Sequence, residues 1–357
     1  MPRSRRTLLK TTGLALGTGT LASIAGCLSD PSIGTDSSPN ESSTSGPSGE
    51  PAAPDFTRWL PDPTATPLRD GYGVRYFDIA GIRSHQDSIH ENAYSRLETQ
   101  MLRPVPSEYV DVTAVNAAVQ IDHLMKLAIG SFDPEAVGEK LISDMRPSTT
   151  TTRTSTTTTQ ISTTAARTTR PEPERYKGFD LYGTDYVYAV SEDALMVVSP
   201  MREGDAVEYT KAIIDSSAGE TSQYADGNEH VAAMFGVVDD PHALWCYPEA
   251  MDGSTSRGFR KDIITGELKS WRFGTETTHL TLANTYPDAE TAESGELADY
   301  IESASKRFGS YDGLDVETQG RLAWTDGTTP TKEFDHLSAD GPSDGVHTTH
   351  QSRRSPF

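Results

Sequence analysis

Histidines and carboxylates are the residues of this chain that could hold a metal ion or move protons, and both are numerous: 9 His and 52 Asp and Glu. His90-Glu91-Asn92 begins as the zinc motif H-E-x-x-H does, but the second histidine is missing. His347 and His350 lie close together near the C-terminus. A structural zinc site needs four converging ligands with supporting hydrogen bonds. These spacings therefore predict no zinc site.

Closely spaced carboxylates could bind calcium or act in pairs on a glycosidic bond. Asp312, Asp315 and Glu317 lie near a predicted turn, but they do not follow the EF-hand pattern. We interpret them as a hydrated surface, with a calcium site as the alternative. The pair Asp239 and Asp240 has nothing that distinguishes it from other surface charge. A carboxylate-based hydrolase is accordingly the least favoured function.

Nucleophilic chemistry has one cysteine candidate in the body of the chain. Cys246 lies between Trp245 and Tyr247 in an apolar run, which predicts a buried structural thiol. A reactive thiolate, the alternative, requires a nearby base and electropositive surroundings. The chain beyond its N-terminal signal has neither a G-x-S-x-G elbow nor a Gly-rich phosphate-binding loop. We therefore predict no catalytic residue, no metal and no cofactor, and a protein that is not an enzyme.

The segments that must position these side chains alternate between strand and helix patterns. A strand is predicted over 72–82, followed by an amphipathic helix over 87–101. Asp122 begins a short polar turn between two apolar runs, which predicts a hairpin. Asp133 and Pro134 together predict a helix start, because Asp caps the first amides and Pro suits the first helical position.

The second half of the chain repeats this alternation. Apolar spacing predicts one helix over 291–307 and a last strand over 314–325. The fold class that follows is α+β, built from two split β-α-β (ferredoxin-like) units with mostly antiparallel sheets. The predicted boundaries are 55–192 for the first unit, with a Thr-rich disordered loop at 147–173, 193–337 for the second unit, and 338–357 for a frayed tail.

Two low-complexity segments are predicted to remain disordered. Residues 27–54 are rich in Ser, Pro, Gly and acids and predict a flexible tether, within which Asn40 begins a glycosylation sequon. Between residues 148 and 170, 16 of 23 residues are Ser or Thr and none is acidic. This composition is typical of an O-glycosylated loop, with Thr151 and Thr157 as candidate sites, and an unmodified insertion is the alternative.

Residues 1–26 have the pattern of an export signal. Arg5 and Arg6 precede a weakly apolar stretch that is too short and too polar to be a transmembrane helix. Paired arginines indicate the twin-arginine route, so the export machinery of that route is a predicted partner. Small residues directly before Cys27 form a lipobox, which predicts cleavage there and attachment of lipid to Cys27. An uncleaved signal anchor is the alternative.

The charge of the chain narrows the class of protein further. With 31 Lys and Arg against 52 acids, the formal net charge is −21, which repels nucleic acid. A hydrophobic fraction of 35% allows a core but excludes a multispanning membrane protein. Cys27 and Cys246 are the two cysteines, so lipidation of the first leaves no intramolecular disulfide.

The twin-arginine signal, the lipobox and the acidic body resemble the exported lipoproteins of halophilic archaea. The 22 Arg against 9 Lys agree with that resemblance, and so do Trp59-Leu60-Pro61 and Gly130-Ser131-Phe132-Asp133. The resemblance implies a location at the extracytoplasmic face of the membrane and carries over no catalytic residues, because this group has no assigned biochemical activity. Strong screening in multimolar salt makes so acidic a surface tolerable.

Together these observations predict a non-catalytic cell-surface lipoprotein, anchored outside the cytoplasmic membrane by lipid on Cys27. It would act as an interaction or structural module, with a surface protein as a possible partner and no nucleic acid. The alternative is an extracellular ligand- or solute-binding lipoprotein.

Overall fold

The structure, a computed structural model, describes residues 55–66, 71–145, 172–201, 205–248 and 263–335. The strands are β1 (Val74–Asp78), β2 (Val115–Ile121), β3 (Met125–Gly130), β4 (Glu174–Tyr176), β5 (Phe179–Tyr182), β6 (Val187–Val190), β7 (Ala194–Val198), β8 (Ala243–Tyr247), β9 (Gly266–Phe273), β10 (Thr277–Thr285), β11 (Asp312–Gln319) and β12 (Leu322–Pro330). The helices are α1 (Ile79–Ser84), α2 (Glu91–Met101), α3 (Pro134–Asp144), α4 (Ala206–Ser217), α5 (Tyr224–Gly227), α6 (Glu229–Phe235), α7 (Ala289–Glu293), α8 (Glu296–Ser303) and α9 (Ser305–Phe308). Within these segments no helix is both long enough and apolar enough to cross a bilayer.

All twelve strands belong to one sheet. Their order is β11-β12-β10-β9-β8-β1-β2-β3-β7-β6-β5-β4. Every pairing between neighbours is antiparallel. The α+β class and the antiparallel character of the sheet, both predicted from the sequence, are confirmed.

Helices cover both faces of this sheet. We call the side that packs against α2, α3 and α7–α9 the α2 face, and the side that packs against α4 and α6 the α4 face. Successive side chains of a strand point to opposite faces, so Phe77 packs with Leu97 on the α2 face while Val74 packs in the cluster of Ile213 on the α4 face. Full burial of such side chains contributes about 1.5–3 kcal/mol each.

A helix and a hairpin form at the cap and turn residues that the sequence predicts. The Asp133 carboxylate accepts hydrogen bonds from the amides of Glu135 and Ala136, and Pro134 is the first residue of α3. The β2–β3 hairpin also forms as predicted, with Asp122 in the left-handed region at φ +42°. Asp tolerates that region better than most residues because its short side chain bonds nearby amides.

Three predicted elements are wrong in extent or type. The strand predicted over 72–82 ends at Asp78, whose carboxylate accepts from the Gly81 amide and starts α1. The single helix predicted over 291–307 is divided into α7, α8 and α9. Gly295, at φ +88°, separates α7 from α8, and Ala304, whose backbone is not helical, separates α8 from α9. The strand predicted over 314–325 is the β11–β12 hairpin, which turns at Gly320 (φ +57°).

The two ferredoxin-like units are not confirmed. A split β-α-β unit requires another strand between the two that flank the helix, yet β1 and β2 pair directly. That arrangement occurs at one edge, where β12 separates β10 from β11. The predicted division between residues 192 and 193 falls in the turn between two paired strands, β6 and β7.

The residues predicted for export, lipidation and glycosylation lie outside the described segments. They are Arg5, Arg6, Cys27, Asn40, Thr151 and Thr157. The signal 1–26, the tether 27–54, the tail 338–357 and all but the last two residues of the predicted loop 147–173 also lie outside these segments.

Candidate functional site

A row of polar and basic side chains crosses the middle of the sheet on its α2 face. In direct register across five neighbouring strands lie Lys126, Gln120, Arg75, Trp245 and Lys269. Three of these five positions carry a positive charge in a chain of net charge −21. At one end of the row the buried Lys269 is ion-paired to Glu267. The other end borders a cavity.

This cavity, which we call the central basic pocket, has a volume of about 320 Å³. Its basic side chains are Arg75, Arg103, His123 and Lys126, and its other lining residues are Gly73, Gln120, Asp122 and Tyr247. Three permanent cations thus surround one carboxylate. The volume is at the lower end of the range for small-molecule sites, which suits a small ligand.

Arg75 is held in place at the floor of the pocket. Its Nε and Nη2 both donate to the phenol oxygen of Tyr247, at 3.1 and 2.9 Å. A guanidinium carries five N–H groups, so three remain for other acceptors, and no described residue takes them. A half-buried guanidinium with unused donors is well suited to bind a carboxylate or a phosphate.

Asp122 is the only carboxylate among the lining residues. Its Oδ1 accepts a hydrogen bond from the Gly73 amide at 3.1 Å, and its own amide donates to the Gly73 carbonyl at 3.0 Å. Burial raises the pKa of the Asp122 carboxyl, while the Gly73 hydrogen bond and the charges of His123 and Arg75 act against that rise. Gln120 Nε2 donates to the Asp122 carbonyl and holds the turn against β2.

Gly73 is required by the close approach of its neighbours. A Cβ atom at this position would lie 2.7 Å from Tyr247 Cδ1 and 2.8 Å from Asp122 Oδ1. Carbon atoms that are not bonded pack at about 3.5–4.0 Å, so any larger residue would displace one of these side chains. The absence of a side chain at Gly73 therefore lets Asp122 and Tyr247 border the same cavity.

The exposed cations of this pocket differ from lysines elsewhere in the protein, which form ion pairs with neighbouring acids. Elsewhere Lys177 bridges Asp215 and Glu220, and Lys211 pairs with Glu174 at 2.6 Å. Among the described residues neither Arg103 nor Lys126 forms an ion pair. The pocket is therefore a local positive region on an acidic protein, where an anion would be attracted.

The candidate residues named from the sequence lie elsewhere. Cys246 is buried on the α4 face, as predicted, and burial raises the pKa of its thiol. Asp239 is exposed and lies 3.6 Å from Arg272. Asp312 and Asp315 belong to the edge strand β11. Within the described segments no three His, Cys, Asp or Glu side chains come together as a metal site would require.

Sequence reasoning missed the residues of the central basic pocket. Its signal was a charged residue between apolar neighbours in a strand, as in Val74-Arg75-Tyr76 and Met125-Lys126-Leu127. Such a pattern indicates a position on the face of the sheet where the side chain is not buried in the hydrophobic core. The pattern does not say which strands are neighbours, so it could not place Tyr247 beside Arg75.

Comparisons with known proteins find solved structures that align with this chain but no sequence family. No protein-family model matches the chain, and no curated protein matches it. Among solved structures, crystal form I of TP0453 aligns with a TM-score of 0.40 and 10% identity, over 79% of this chain and 95% of that one. Crystal form III of the same protein gives a TM-score of 0.37 and 11% identity, over 76% and 94%.

Proposed function

We propose that the protein is a non-catalytic binding protein, tethered outside the cytoplasmic membrane by lipid on Cys27, that takes a small anion into the central basic pocket. The observation that carries this proposal is the set of Arg75, Arg103 and Lys126 around one cavity of a strongly acidic chain. Of the two functions that the sequence leaves open, this pocket favours the ligand-binding lipoprotein over the structural module.

The location in this proposal depends on the sequence alone. Arg5 and Arg6 support export by the twin-arginine route, and the lipobox supports lipidation at Cys27. The acidic composition supports a halophilic archaeal source, where salt screens the repulsion between carboxylates. An extracytoplasmic binding protein would meet its ligand before any transporter does.

Calorimetric titration of the full chain with sodium phosphate, repeated at a series of fixed ionic strengths, tests the binding proposal. We expect saturable binding that weakens as salt is added, because the attraction is electrostatic. Arg75→Gln should weaken binding about tenfold or more, since a hydrogen bond to a charged group contributes about 1.5–3 kcal/mol.

A matched pair of lysine variants separates local binding from general charge. Lys126→Gln removes a cation of the pocket, whereas Lys306→Gln removes one exposed cation from α9. Both variants change the net charge equally, so only the first should weaken binding. Equal affinities of both variants and the wild type, or absence of binding to phosphate, sulfate and citrate alike, would overturn the proposal.

Native mass spectrometry of the protein from a halophilic host gives an independent test. A reproducible extra mass that is lost on denaturation, and absent from Arg75→Gln, would identify the natural anion. The same extra mass on both proteins would contradict binding at Arg75.

A second cavity favours the interaction module as a second candidate. It has a volume of about 740 Å³ and is lined by charges of both signs, among them Arg58, Arg175, Glu192 and Asp193. A cavity of this size, lined by charges of both signs, suits a charged protein surface better than a small ion. If the wild type binds none of the three anions, and Glu192→Gln loses a partner protein that co-purifies with the wild type, this function is supported in place of the first.

A further inference from the structure

We infer that the central basic pocket selects hydrogen phosphate, an oxyanion that carries a proton, and rejects sulfate. The inference rests on the proposed anion-binding function and goes further, because it assigns a role to Asp122. A carboxylate in a pocket for anions is an obstacle to binding unless the ligand brings a hydrogen-bond donor of its own.

The Asp122 carboxylate has one oxygen committed and one available. Oδ1 accepts from the Gly73 amide at 3.1 Å, and no described residue donates to Oδ2. Asp122 lines the same cavity as Arg75 and Lys126. An anion held by these two cations therefore lies within the reach of a carboxylate that can only accept hydrogen bonds.

The chemistry of the two oxyanions then decides between them. Hydrogen phosphate and sulfate are both tetrahedral dianions, but the phosphate keeps one P–O–H group near neutral pH. That hydroxyl can donate to Asp122 Oδ2 while the remaining oxygens accept from Arg75 and Lys126. Sulfate has acceptors only, so it would place an oxygen lone pair against the carboxylate. A site built to bond a ligand hydroxyl rejects analogues that lack it far more strongly than an apolar pocket rejects a missing methylene.

The backbone at Asp122 allows a clean test of this role. The residue lies in the left-handed region, at φ +42°, where Asn is accepted as readily as Asp. Asp122→Asn therefore keeps the turn, and the amide oxygen can still accept from the Gly73 amide. The substitution changes the other group that faces the pocket from an acceptor into an N–H donor.

The experiment is a set of calorimetric titrations of the wild type and of Asp122→Asn at pH 7.5 and fixed ionic strength. Sodium phosphate, sodium sulfate and methyl phosphate are the three ligands. We expect the wild type to prefer phosphate to sulfate by about a hundredfold. In Asp122→Asn that preference should fall to within about threefold, mainly through a gain in sulfate binding. Methyl phosphate has no P–O–H group at this pH, because the second pKa of a phosphate monoester is about 6. It should therefore bind as weakly as sulfate, and binding as tight as that of phosphate would contradict the role of a ligand hydroxyl.

The outcomes separate this inference from the function on which it rests. If the wild type binds phosphate and sulfate equally, and Asp122→Asn changes neither affinity, the role of Asp122 is wrong while anion binding stands. If the wild type binds neither ion, the proposed function itself fails. Circular dichroism of Asp122→Asn, expected to match the wild type, shows that a change in preference does not come from unfolding.

Discussion

Arg75 on β1 donates two hydrogen bonds to one acceptor, the phenol oxygen of Tyr247 on β8, and the two residues are 172 positions apart in the chain. The phenol fixes the plane of the guanidinium and leaves three of its N–H groups directed away from Tyr247. A fixed guanidinium loses less conformational entropy when it binds an anion than a mobile one does.

Tyr247→Phe should weaken phosphate binding about three- to tenfold without a comparable loss of stability. The ring still fills its place, but Arg75 loses the acceptor that orients it. Calorimetric titration measures the affinity, and thermal unfolding measures the stability. Tyr186→Phe is the control, because Tyr186 is 54% exposed and does not line the pocket. An unchanged affinity in Tyr247→Phe would show that the phenol does not position Arg75.

His242 should make the protein less stable in mildly acidic solution. Burial lowers the pKa of this imidazole, and its Nδ1 accepts a hydrogen bond from the Phe273 amide at 3.0 Å. The unfolded chain, with an ordinary His pKa of about 6.5, then takes up a proton before the folded chain does. The free energy of unfolding therefore falls as the pH drops through about 6.5.

Denaturant unfolding at pH 7.5 and at pH 5.5 measures this effect. His242→Asn keeps an acceptor near the Phe273 amide and cannot be protonated, so its loss of stability between the two pH values should be smaller than that of the wild type. His90→Asn is the control, because His90 is exposed. Parallel pH dependence of His242→Asn and the wild type would contradict the prediction.

The thiol of Cys246 should be inert in the folded protein. The side chain is 1% exposed, and burial raises the pKa of the thiol, so both access and the thiolate fraction are small. In the mature protein, where the proposed lipid blocks Cys27, a colorimetric thiol reagent should label no thiol of the native protein within minutes and one thiol per chain in denaturant. Rapid labelling before unfolding would show that Cys246 is accessible and reopen the question of its reactivity.

Cys27 and the paired arginines should control location separately. Cys27→Ser is expected to move the protein from the membrane fraction to the soluble exported fraction, because the lipid is the proposed anchor. Replacement of Arg5 and Arg6 by lysines should instead keep the protein inside the cell. Fractionation and immunoblotting check both results. Membrane retention of Cys27→Ser would support an uncleaved signal anchor, and normal export of the lysine variant would exclude the twin-arginine route.

Elements whose signal lies within a few residues could be predicted from the sequence. Asp133 with Pro134 starts α3 because the cap and the amides it bonds are two and three positions apart. Asn228 starts α6 for the same reason. Gly295 and Gly320, which break a predicted helix and a predicted strand, are also local signals. The sequence could not predict these breaks, because glycine adopts positive and negative φ almost equally well.

Strand order could not be predicted in this way. The strands β1 and β8 are adjacent although more than 160 residues separate them, and the apolar pattern of each strand is compatible with many neighbours. The central basic pocket depends on that adjacency, since Arg75 and Tyr247 come from the two strands. Asp122 could be predicted as a turn residue but not as a pocket residue, because its position beside Gly73 follows from the β1–β2 register.

The order of the sheet also divides it into two halves that differ in folding. The strands β1–β7 fill one side without interruption, β8–β12 fill the other, and β1 with β8 is the one described strand pairing between them. Each half can form from nearby segments, whereas closing the boundary requires a long loop and is therefore expected to be slow. Amides along β1 and β8 should exchange with solvent through openings of lower energy than global unfolding. Arg75 on β1 bonds Tyr247 on β8 across this boundary. An anion that orders Arg75 should therefore slow that exchange, so deuterium uptake at β8 would report whether the pocket is occupied.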